Sequence, residues 1–352
     1  MVAGEYAVLD QYQRTIVMAA DRFMQAVIED SEAGSLKLDS LGLGTLSWSY
    51  SNQDVTIDTE DERIRFVQES MKIALTYIQE QEIEIDAFSL ELTSELDDVS
   101  GVKYGLGSSA AAVTAVVYAI LHRYLPEAPE EEVVFKLSAI AHVSVQGNGS
   151  GADIAASSYG GWLAYSSFQA EWLLAELEKQ QSLSRLVKRN WQYLKVEKLE
   201  FPEELEICIG WTGTPASTKE LVEQVRKMKH ENHAAYAGFM VQSGTAVQGI
   251  IHGMKSNDVS LILEGVAMNR QALQKLGQDA GVAIETPQLA ALSDLAEDLG
   301  GAAKPSGAGG GDCGIAFVRT KEQKAQLEAA WKDAGITPLA IQPQQKGAVQ
   351  SR

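Results

Sequence analysis

The sequence predicts an α+β fold in two domains, residues 1–185 and 186–352, with a cleft between them. Three observations support this prediction. The chain of 352 residues is long for a single domain. Segments with the period of an amphipathic helix alternate with shorter, strand-like segments in both halves. The composition, 45% hydrophobic and 22% charged, is that of a globular protein that can bury a large core.

The N-terminal half is predicted to begin with strands at 15–20, 23–29 and 55–57. A helix is predicted over 61–79, because its apolar residues recur on one face: Ile64, Val67, Met71, Ala74, Leu75 and Ile78. The segment 88–92 alternates apolar and polar residues and is predicted to be a half-buried strand.

A glycine-rich loop, 105–112, follows and opens into an apolar segment. That segment has the spacing of a buried helix face, at Val113, Val116, Val117, Ile120 and Leu121. Ser108 and Ser109 stand where a helix cap is expected. The free N–H groups and the dipole of a helix that starts in such a loop favour a bound phosphate. The alternative is an ordinary glycine turn with a serine cap.

A second glycine-rich loop, 145–153, follows a helix predicted over 129–143. Asp153 is the one acidic residue of this loop. It could take a proton from an attacking hydroxyl or hold that hydroxyl near a cation, as kinases require. Alternatively, Asp153 caps the short helix that begins after it.

The C-terminal half is predicted to contain strands at 205–211 and 313–318 and helices at 233–254, 259–276, 287–299 and 321–334. Ser217 and Thr218 precede a helix that begins at Lys219; they could bind an anion there or cap the helix. A third glycine-rich loop, 304–312, is flanked by Lys304 and Asp312, which could simply be solvated at its edges. The tail 342–352 is predicted to be frayed.

Charge and cysteine content exclude several classes of protein. The net charge of −19 makes nucleic acid and anionic membranes unfavourable partners. No signal peptide or membrane-spanning run is visible, so a cytoplasmic protein is expected. Cys208 and Cys313 lie in apolar or glycine-rich runs and are expected to be buried free thiols. The histidines form no metal-binding pattern, and no Walker loop is present.

Taken together, the three loops and their order resemble the GHMP kinases. The segment 103–111 matches the second motif of this family, 304–314 matches the third, and 3–8 matches the end of the first. Stretches at 148–153, 210–218 and 306–314 match best the branch of the family that phosphorylates 5-phosphomevalonate. The resemblance implies an S5-like N-terminal domain and a ferredoxin-like C-terminal domain, with the active site between them.

The resemblance also implies an activity, namely transfer of the γ-phosphoryl group of ATP, with Mg²⁺, to the phosphate of 5-phosphomevalonate. Asp153 and Lys103 would then be catalytic, and Ser108 and Ser109 would help to place Mg²⁺. The triphosphate would be held by Gly105, Leu106, Gly107, Ser108, Ser109 and Ala110. The substrate would be contacted by Ser150, Ser217, Thr218, Ser306, Gly307, Ala308, Gly309 and Gly310.

The resemblance has one departure. Family members carry a lysine on the first strand, and here that lysine would fall immediately before Met1. Weak or absent activity is therefore expected unless another lysine, such as Lys103, substitutes. Two alternatives stay open at this stage: a sibling enzyme, mevalonate kinase or diphosphomevalonate decarboxylase, and a non-catalytic protein that binds a nucleotide or metabolite.

Overall fold

The computed structural model describes residues 1–38, 42–96, 104–179, 182–214 and 218–350. Its strands are β1 (Thr15–Met18), β2 (Met24–Asp30), β3 (Ser35–Leu38), β4 (Thr45–Ser51), β5 (Asp54–Ile57), β6 (Phe88–Ser94), β7 (Trp162–Ser166), β8 (Lys195–Leu199), β9 (Glu206–Trp211), β10 (Ala302–Pro305), β11 (Cys313–Val318) and β12 (Thr337–Leu339). Its α-helices are α1 (Arg65–Gln79), α2 (Ser108–Tyr124), α3 (Glu131–Gln146), α4 (Ala152–Tyr159), α5 (Ala170–Leu177), α6 (Leu183–Lys188), α7 (Thr218–Glu231), α8 (His233–Ser256), α9 (Val259–Ala280), α10 (Pro287–Asp298) and α11 (Lys321–Asp333).

The strands form three sheets. A five-stranded sheet has the order β2-β6-β3-β4-β5, in which β3 and β6 run parallel and the other neighbours are antiparallel. A three-stranded antiparallel sheet has the order β1-β7-β8, and a four-stranded antiparallel sheet has the order β10-β11-β9-β12. Helices cover these sheets, so the α+β class is confirmed.

The helical faces expected from the sequence form the core of the N-terminal half. All six apolar residues of the 61–79 pattern are buried, and so are all five of the pattern that follows the first glycine-rich loop. Their helices, α1 and α2, pack against each other and against α3. This packing fixes the direction of α2 and therefore the place at which its N-terminus opens.

Several elements differ from the sequence expectations. Strands β3, β4, β8 and β10 were not expected, because polar residues dominate β4 and β8 and because β10 is only four residues long. One hydrophobic core cluster runs from Val8 to Trp191, and three further clusters involve the C-terminal half. The domain boundary at residues 185 and 186 stays a prediction.

The expectation of a frayed tail is wrong for residues 342–350. The Gln344 N–H donates to the Ala19 carbonyl at 2.9 Å, and the Gln344 carbonyl accepts from the Gly161 N–H at 2.7 Å. The tail passes so close to Gly160 that a Cβ there would lie 2.2 Å from the Lys346 carbonyl carbon. A polar composition alone suggested fraying, but these backbone contacts hold the tail in place.

Cys208 and Cys313 are free and buried, as expected. Burial raises the pKa of both thiols to about 12. Within the described part of the chain, no helix is long and apolar enough to cross a membrane.

Candidate active site

A cavity of about 1100 Å³ opens where the three glycine-rich loops meet. It runs along one face of α2 and is also lined by β1, β2, α4, α7 and the tail. The residues of the three loops that line it are Gly105, Leu106, Gly107, Ala111, Gln146, Asn148, Gly149, Ser150, Gly151, Ala152, Asp153, Ser306, Gly307, Ala308 and Asp312. Loops that are far apart in the sequence are therefore brought to one site.

Two glycines of the first loop make this convergence possible. Gly105 has a φ of +75°, and a Cβ there would lie 2.5 Å from Cγ of Asp312 in the third loop. Gly107 has a φ of +84°, and a Cβ there would lie 3.3 Å from Cβ of Asp153, next to the second loop. A side chain at either position would be strained by the backbone conformation, and at Gly105 it would also collide with a carboxylate.

The N-terminus of α2 is uncapped by any side chain. Gly107 is the N-cap residue, and Ser108 and Ser109 are the first two residues of the helix. The expectation that a serine caps this helix is therefore wrong, because the left-handed conformation at the N-cap position requires glycine. The N–H groups of Ser108, Ser109 and Ala110 have no helical acceptor, so they can bind an anion in the cavity.

Asp153 is the second residue of α4 and is exposed in the cavity wall. The N-cap of α4 is Gly151, so the alternative that Asp153 caps this helix is wrong. One carboxylate oxygen, Oδ1, accepts from the N–H of Ile154 at 3.0 Å. This bond orients the carboxylate toward the cavity, beside Gly107.

Ser150 lies in the cavity wall just before α4. Its backbone carbonyl accepts from the Tyr165 hydroxyl at 2.6 Å, and its Oγ accepts from the Ala152 N–H at 3.3 Å. Tyr165 is fully buried, so it anchors the second loop to β7. The loop is held rigidly enough to present Ser150 and Asp153 together.

The third loop is held by contacts on both sides. The Ser306 hydroxyl donates to the Met1 carbonyl at 2.8 Å, and the Tyr6 hydroxyl donates to the Ala308 carbonyl at 2.6 Å. The Gly310 N–H donates to the Ile284 carbonyl at 2.8 Å. Gly309 has a φ of +72°, and a Cβ there would lie 2.2 Å from the same carbonyl oxygen. Ser306, Gly307 and Ala308 line the cavity, whereas Gly309 and Gly310 support them from behind.

Lys304 is not solvated at the edge of the loop, contrary to the sequence expectation. It is fully buried, and its Nζ donates to Oε1 of Glu5 at 2.5 Å and to the Pro305 carbonyl. Oε2 of Glu5 accepts from Nδ2 of Asn269 at 3.2 Å. Burial lowers the pKa of Lys304, and the charge of Glu5 opposes that shift. This pair joins the segment after Met1 to the third loop.

Asp312 is likewise held by hydrogen bonds to the protein, contrary to the expectation that it is simply solvated at the edge of the loop. Its backbone carbonyl accepts from both the N–H and the hydroxyl of Thr212, and its N–H donates to the Thr214 carbonyl at 2.7 Å. The loop after β9 is thereby joined to the third glycine-rich loop.

His142 is a site residue that the sequence did not single out. It lies on α3 and in the cavity wall, and its Nε2 is 3.3 Å from Oγ of Ser109. Burial lowers its pKa, and the charge of Asp153 opposes that shift. A lone histidine in an apolar helix is typical of a protein core. The sequence therefore held no signal that α3 would turn this residue toward the first loop.

Three expected site residues cannot be placed. Lys103 and Ser217 lie outside the described residues, and so does the side chain of Thr218, whose backbone begins α7. Their roles stay predictions.

Two of the cations in the described cavity wall are engaged in ion pairs. Arg123 pairs with Asp30 at 2.7 Å and with Asp86 at 2.9 Å, and Arg22 pairs with Asp21 at 3.2 Å. Arg226 and Lys346 also line the cavity, and neither forms an ion pair with a described residue. They are the side chains best suited to meet an anionic ligand in a chain of net charge −19.

The side chains at the start of α2 fit a magnesium ion that arrives with a nucleotide. Ser108, Ser109 and Asp153 offer hydroxyl and carboxylate oxygens, the donors that Mg²⁺ prefers. Among the described residues, no group of three His, Cys, Asp or Glu side chains could hold a metal ion by itself. Most of the ligands would therefore come from phosphates and water, as is usual for Mg²⁺.

Comparisons with known proteins identify the family of the chain. The family model "GHMP kinases N terminal domain" matches residues 66–161, and "GHMP kinases C terminal" matches residues 250–337. A phosphomevalonate kinase of Streptomyces sp. (strain CL190) is 32% identical over 98% of this chain and 95% of its own length.

Two solved structures are similar over nearly the whole chain. A protein of Listeria innocua has a TM-score of 0.93 and 40% identity, covering 99% of this chain and 96% of that one. A Streptococcus pneumoniae phosphomevalonate kinase in complex with phosphomevalonate and AMPPNP has a TM-score of 0.82 and 26% identity. That alignment covers 97% of this chain and 96% of the other.

Proposed function

The chain belongs to the GHMP kinases, and on that premise we propose that it transfers the γ-phosphoryl group of ATP to the phosphate of 5-phosphomevalonate. The products are 5-diphosphomevalonate and ADP. The Streptomyces relative and the pneumococcal structure, both phosphomevalonate kinases, support this choice of acceptor.

The observation that carries the proposal is the meeting of the three loops around one cavity. The first loop contacts Asp153 through Gly107 and Asp312 through Gly105. The N-termini of α2 and α4 both open there, each behind a left-handed glycine, Gly107 and Gly151. The dipoles of both helices and the free N–H groups of α2 provide positive potential for phosphates.

In the proposed reaction, an oxygen of the acceptor phosphate attacks the γ-phosphorus. A new P–O–P bond forms, the bond between the γ-phosphorus and the β-bridging oxygen breaks, and ADP leaves with that electron pair. The acceptor phosphate is largely ionised near neutral pH, because the second pKa of a phosphate monoester is about 6. Catalysis therefore depends mainly on positioning and charge neutralisation.

Asp153 orients the reacting groups in this scheme, rather than removing an essential proton. The N–H groups of Ser108, Ser109 and Ala110 hold the nucleotide phosphates. Ser108, Ser109 and Asp153 would hold Mg²⁺, which would supply neutralisation of charge on the transferring group. Lys103, if it faces the cavity, adds a cation close to the same phosphates.

We assign Arg226 to the carboxylate end of 5-phosphomevalonate, away from the phosphate that is attacked. Val222 and Arg226 are four residues apart, so they fall on one side of α7. Val222 and Arg226 line the cavity together with Ala308 of the third loop. An arginine at that position can form paired hydrogen bonds with the carboxylate of the acceptor.

The test is ADP release by the purified chain with Mg-ATP. The chain is offered 5-phosphomevalonate, mevalonate and 5-diphosphomevalonate in separate reactions. Release with 5-phosphomevalonate alone is expected. Release with mevalonate alone, or with 5-diphosphomevalonate and loss of CO₂, would contradict the proposal and identify a sibling activity. Nucleotide binding without any turnover would contradict it in favour of a binding protein.

A further inference from the structure

A buried histidine lies directly beneath the nucleotide loop. His142 is only 5% exposed, and its ring packs against Phe66 in a tilted arrangement, with 4.9 Å between the ring centroids and 31° between the planes. Its Nε2 lies 3.3 Å from the Ser109 hydroxyl. Burial and the ring contact with Phe66 restrict the imidazole, with Nε2 directed toward the first loop.

The orientation of the Ser109 side chain can be set by this contact, because Ser109 does not cap the helix. The cap of α2 is Gly107, and no side chain caps the N-terminus. A serine side chain on an uncapped first turn has several accessible rotamers. One hydrogen bond from a rigid neighbour is enough to select one of them. No hydrogen bond of the described residues does the same for Ser108.

We propose that His142 is a positioning residue for nucleotide binding: its hydrogen bond holds the Ser109 hydroxyl in the orientation that meets the nucleotide phosphates and their Mg²⁺. The inference deepens the proposed function. It rests on the proposal that the chain binds a nucleotide, and not on the identity of the acceptor. It also gives the two serines different roles, since the Ser109 hydroxyl is hydrogen-bonded by His142 of α3, whereas no hydrogen bond among the described residues orients Ser108.

A double-mutant cycle between His142 and Ser109 tests this directly. His142→Phe keeps a ring against Phe66 but removes the nitrogen, and Ser109→Ala removes the hydroxyl. We measure the dissociation constant of Mg-ADP, and that of ADP with EDTA, by calorimetry on the full chain. Each single variant is expected to weaken Mg-ADP binding about tenfold, the usual size for a hydrogen bond that involves a charged group. The double variant is expected to be no weaker than the weaker single variant.

Matched controls make the outcome specific. The pair His142→Phe and Ser108→Ala should be additive, because these two residues share no hydrogen bond. His142→Gln, which can still bond the hydroxyl, should recover most of the lost affinity. Thermal unfolding of every variant shows whether the fold is retained. If His142→Phe does not fold, a second cycle is built from His142→Gln and Ser109→Ala.

The results distinguish the inference from the proposed function. Wild-type chain that binds Mg-ADP while the His142 and Ser109 effects simply add would overturn the inference and leave the function intact. Equal weakening of ADP binding with and without Mg²⁺, together with a lowered melting temperature, would show a purely structural histidine and also overturn it. A wild-type chain that binds no nucleotide would instead overturn the function.

Discussion

The N-termini of α2 and α9 are built in opposite ways. Helix α9 begins after Asp258, whose Oδ1 accepts from the N–H groups of Ser260 at 3.0 Å and Leu261 at 3.2 Å. Helix α2 begins after Gly107 and has two serines in its first turn, but neither caps it. In α9 the cap residue satisfies two of the free N–H groups, whereas in α2 the N-cap residue has no side chain that could do so.

Three other helices of the C-terminal half begin in the same way as α9. Helices α8, α10 and α11 are capped by Asn232, Thr286 and Thr320, and none of these residues lines the cavity. Helix α4, which opens on the cavity, has Gly151 as its N-cap, and two of its first-turn N–H groups, those of Ala152 and Ile154, donate to Ser150 and Asp153. Helices α1, α3 and α5 also lack a side-chain cap, but their N-cap residues, Ile64, Glu130 and Gln169, do not line the cavity. A left-handed glycine at the N-cap therefore distinguishes the two helices that open on the cavity, and the predictions below test the contrast with α9.

The largest effect is expected from Asp153→Asn, which keeps the size of the side chain and removes its charge. The value of kcat should fall by about 10²- to 10³-fold, the range seen when one preorganised electrostatic group is removed. Steady-state kinetics with 5-phosphomevalonate measures it. Asp258→Asn, which changes an acid at the capped N-terminus of α9, is the control and should leave kcat unchanged. Equal kcat values for the two variants would mean that Asp153 has no special role.

A smaller loss, about 10- to 100-fold in kcat/KM, is expected from Gly105→Ala. A misplacement of about 1 Å in a positioned site is enough for such a loss. The added Cβ would meet the Asp312 carboxylate at 2.5 Å and push the first loop away from the third. Gly281→Ala is the matched control, because Gly281 has a similar φ of +66° but open space around its Cβ position. Similar activity losses in both variants would attribute the effect to backbone strain alone.

Arg226→Gln is expected to raise the KM for 5-phosphomevalonate about tenfold, since a charge-assisted hydrogen bond contributes about 1.5–3 kcal/mol. The KM for ATP should stay nearly constant. Lys227→Gln on the same helix is the control, because Lys227 is exposed and does not line the cavity. If the KM for ATP rises instead, Arg226 belongs to the nucleotide end of the site.

The smallest effects concern stability at the two N-termini. Asp258→Ala should lower the free energy of unfolding by about 1 kcal/mol, because it removes a cap. Ser108→Ala should change it by only a few tenths of a kcal/mol, since alanine is a better helix former and no cap is lost. Chemical denaturation of both variants measures the difference. A loss at Ser108 as large as that at Asp258 would show that Ser108 stabilises its helix after all.

Much of the fold could be predicted from the sequence because its signals are local. The apolar faces of α1 and α2 follow from helical spacing, and all the residues of both patterns are buried. The strands β4 and β8 were missed because they are largely polar and each lies at or next to the edge of its sheet. Their pairing is decided by distant neighbours that spacing does not show.

In the candidate site, too, the residues in local sequence motifs could be predicted, and the contacts between distant residues could not. Motif order pointed to the glycine-rich loops and to Asp153, and the structure brings these to one cavity. The buried Lys304–Glu5 pair and the contact between His142 and Ser109 join residues far apart in the chain, so no local pattern revealed them. The tail was misjudged for a related reason, because its contacts are made by backbone groups that composition does not report.

Hydrogen–deuterium exchange of the full chain, with and without Mg-AMPPNP, tests the contrast between the two N-termini most directly. The account predicts slower exchange for the backbone amides of residues 108–110 when the nucleotide is bound, and no change for residues 259–261, where Asp258 already bonds two of the amides. Unchanged exchange at residues 108–110, under conditions where calorimetry shows the site to be saturated, would contradict it.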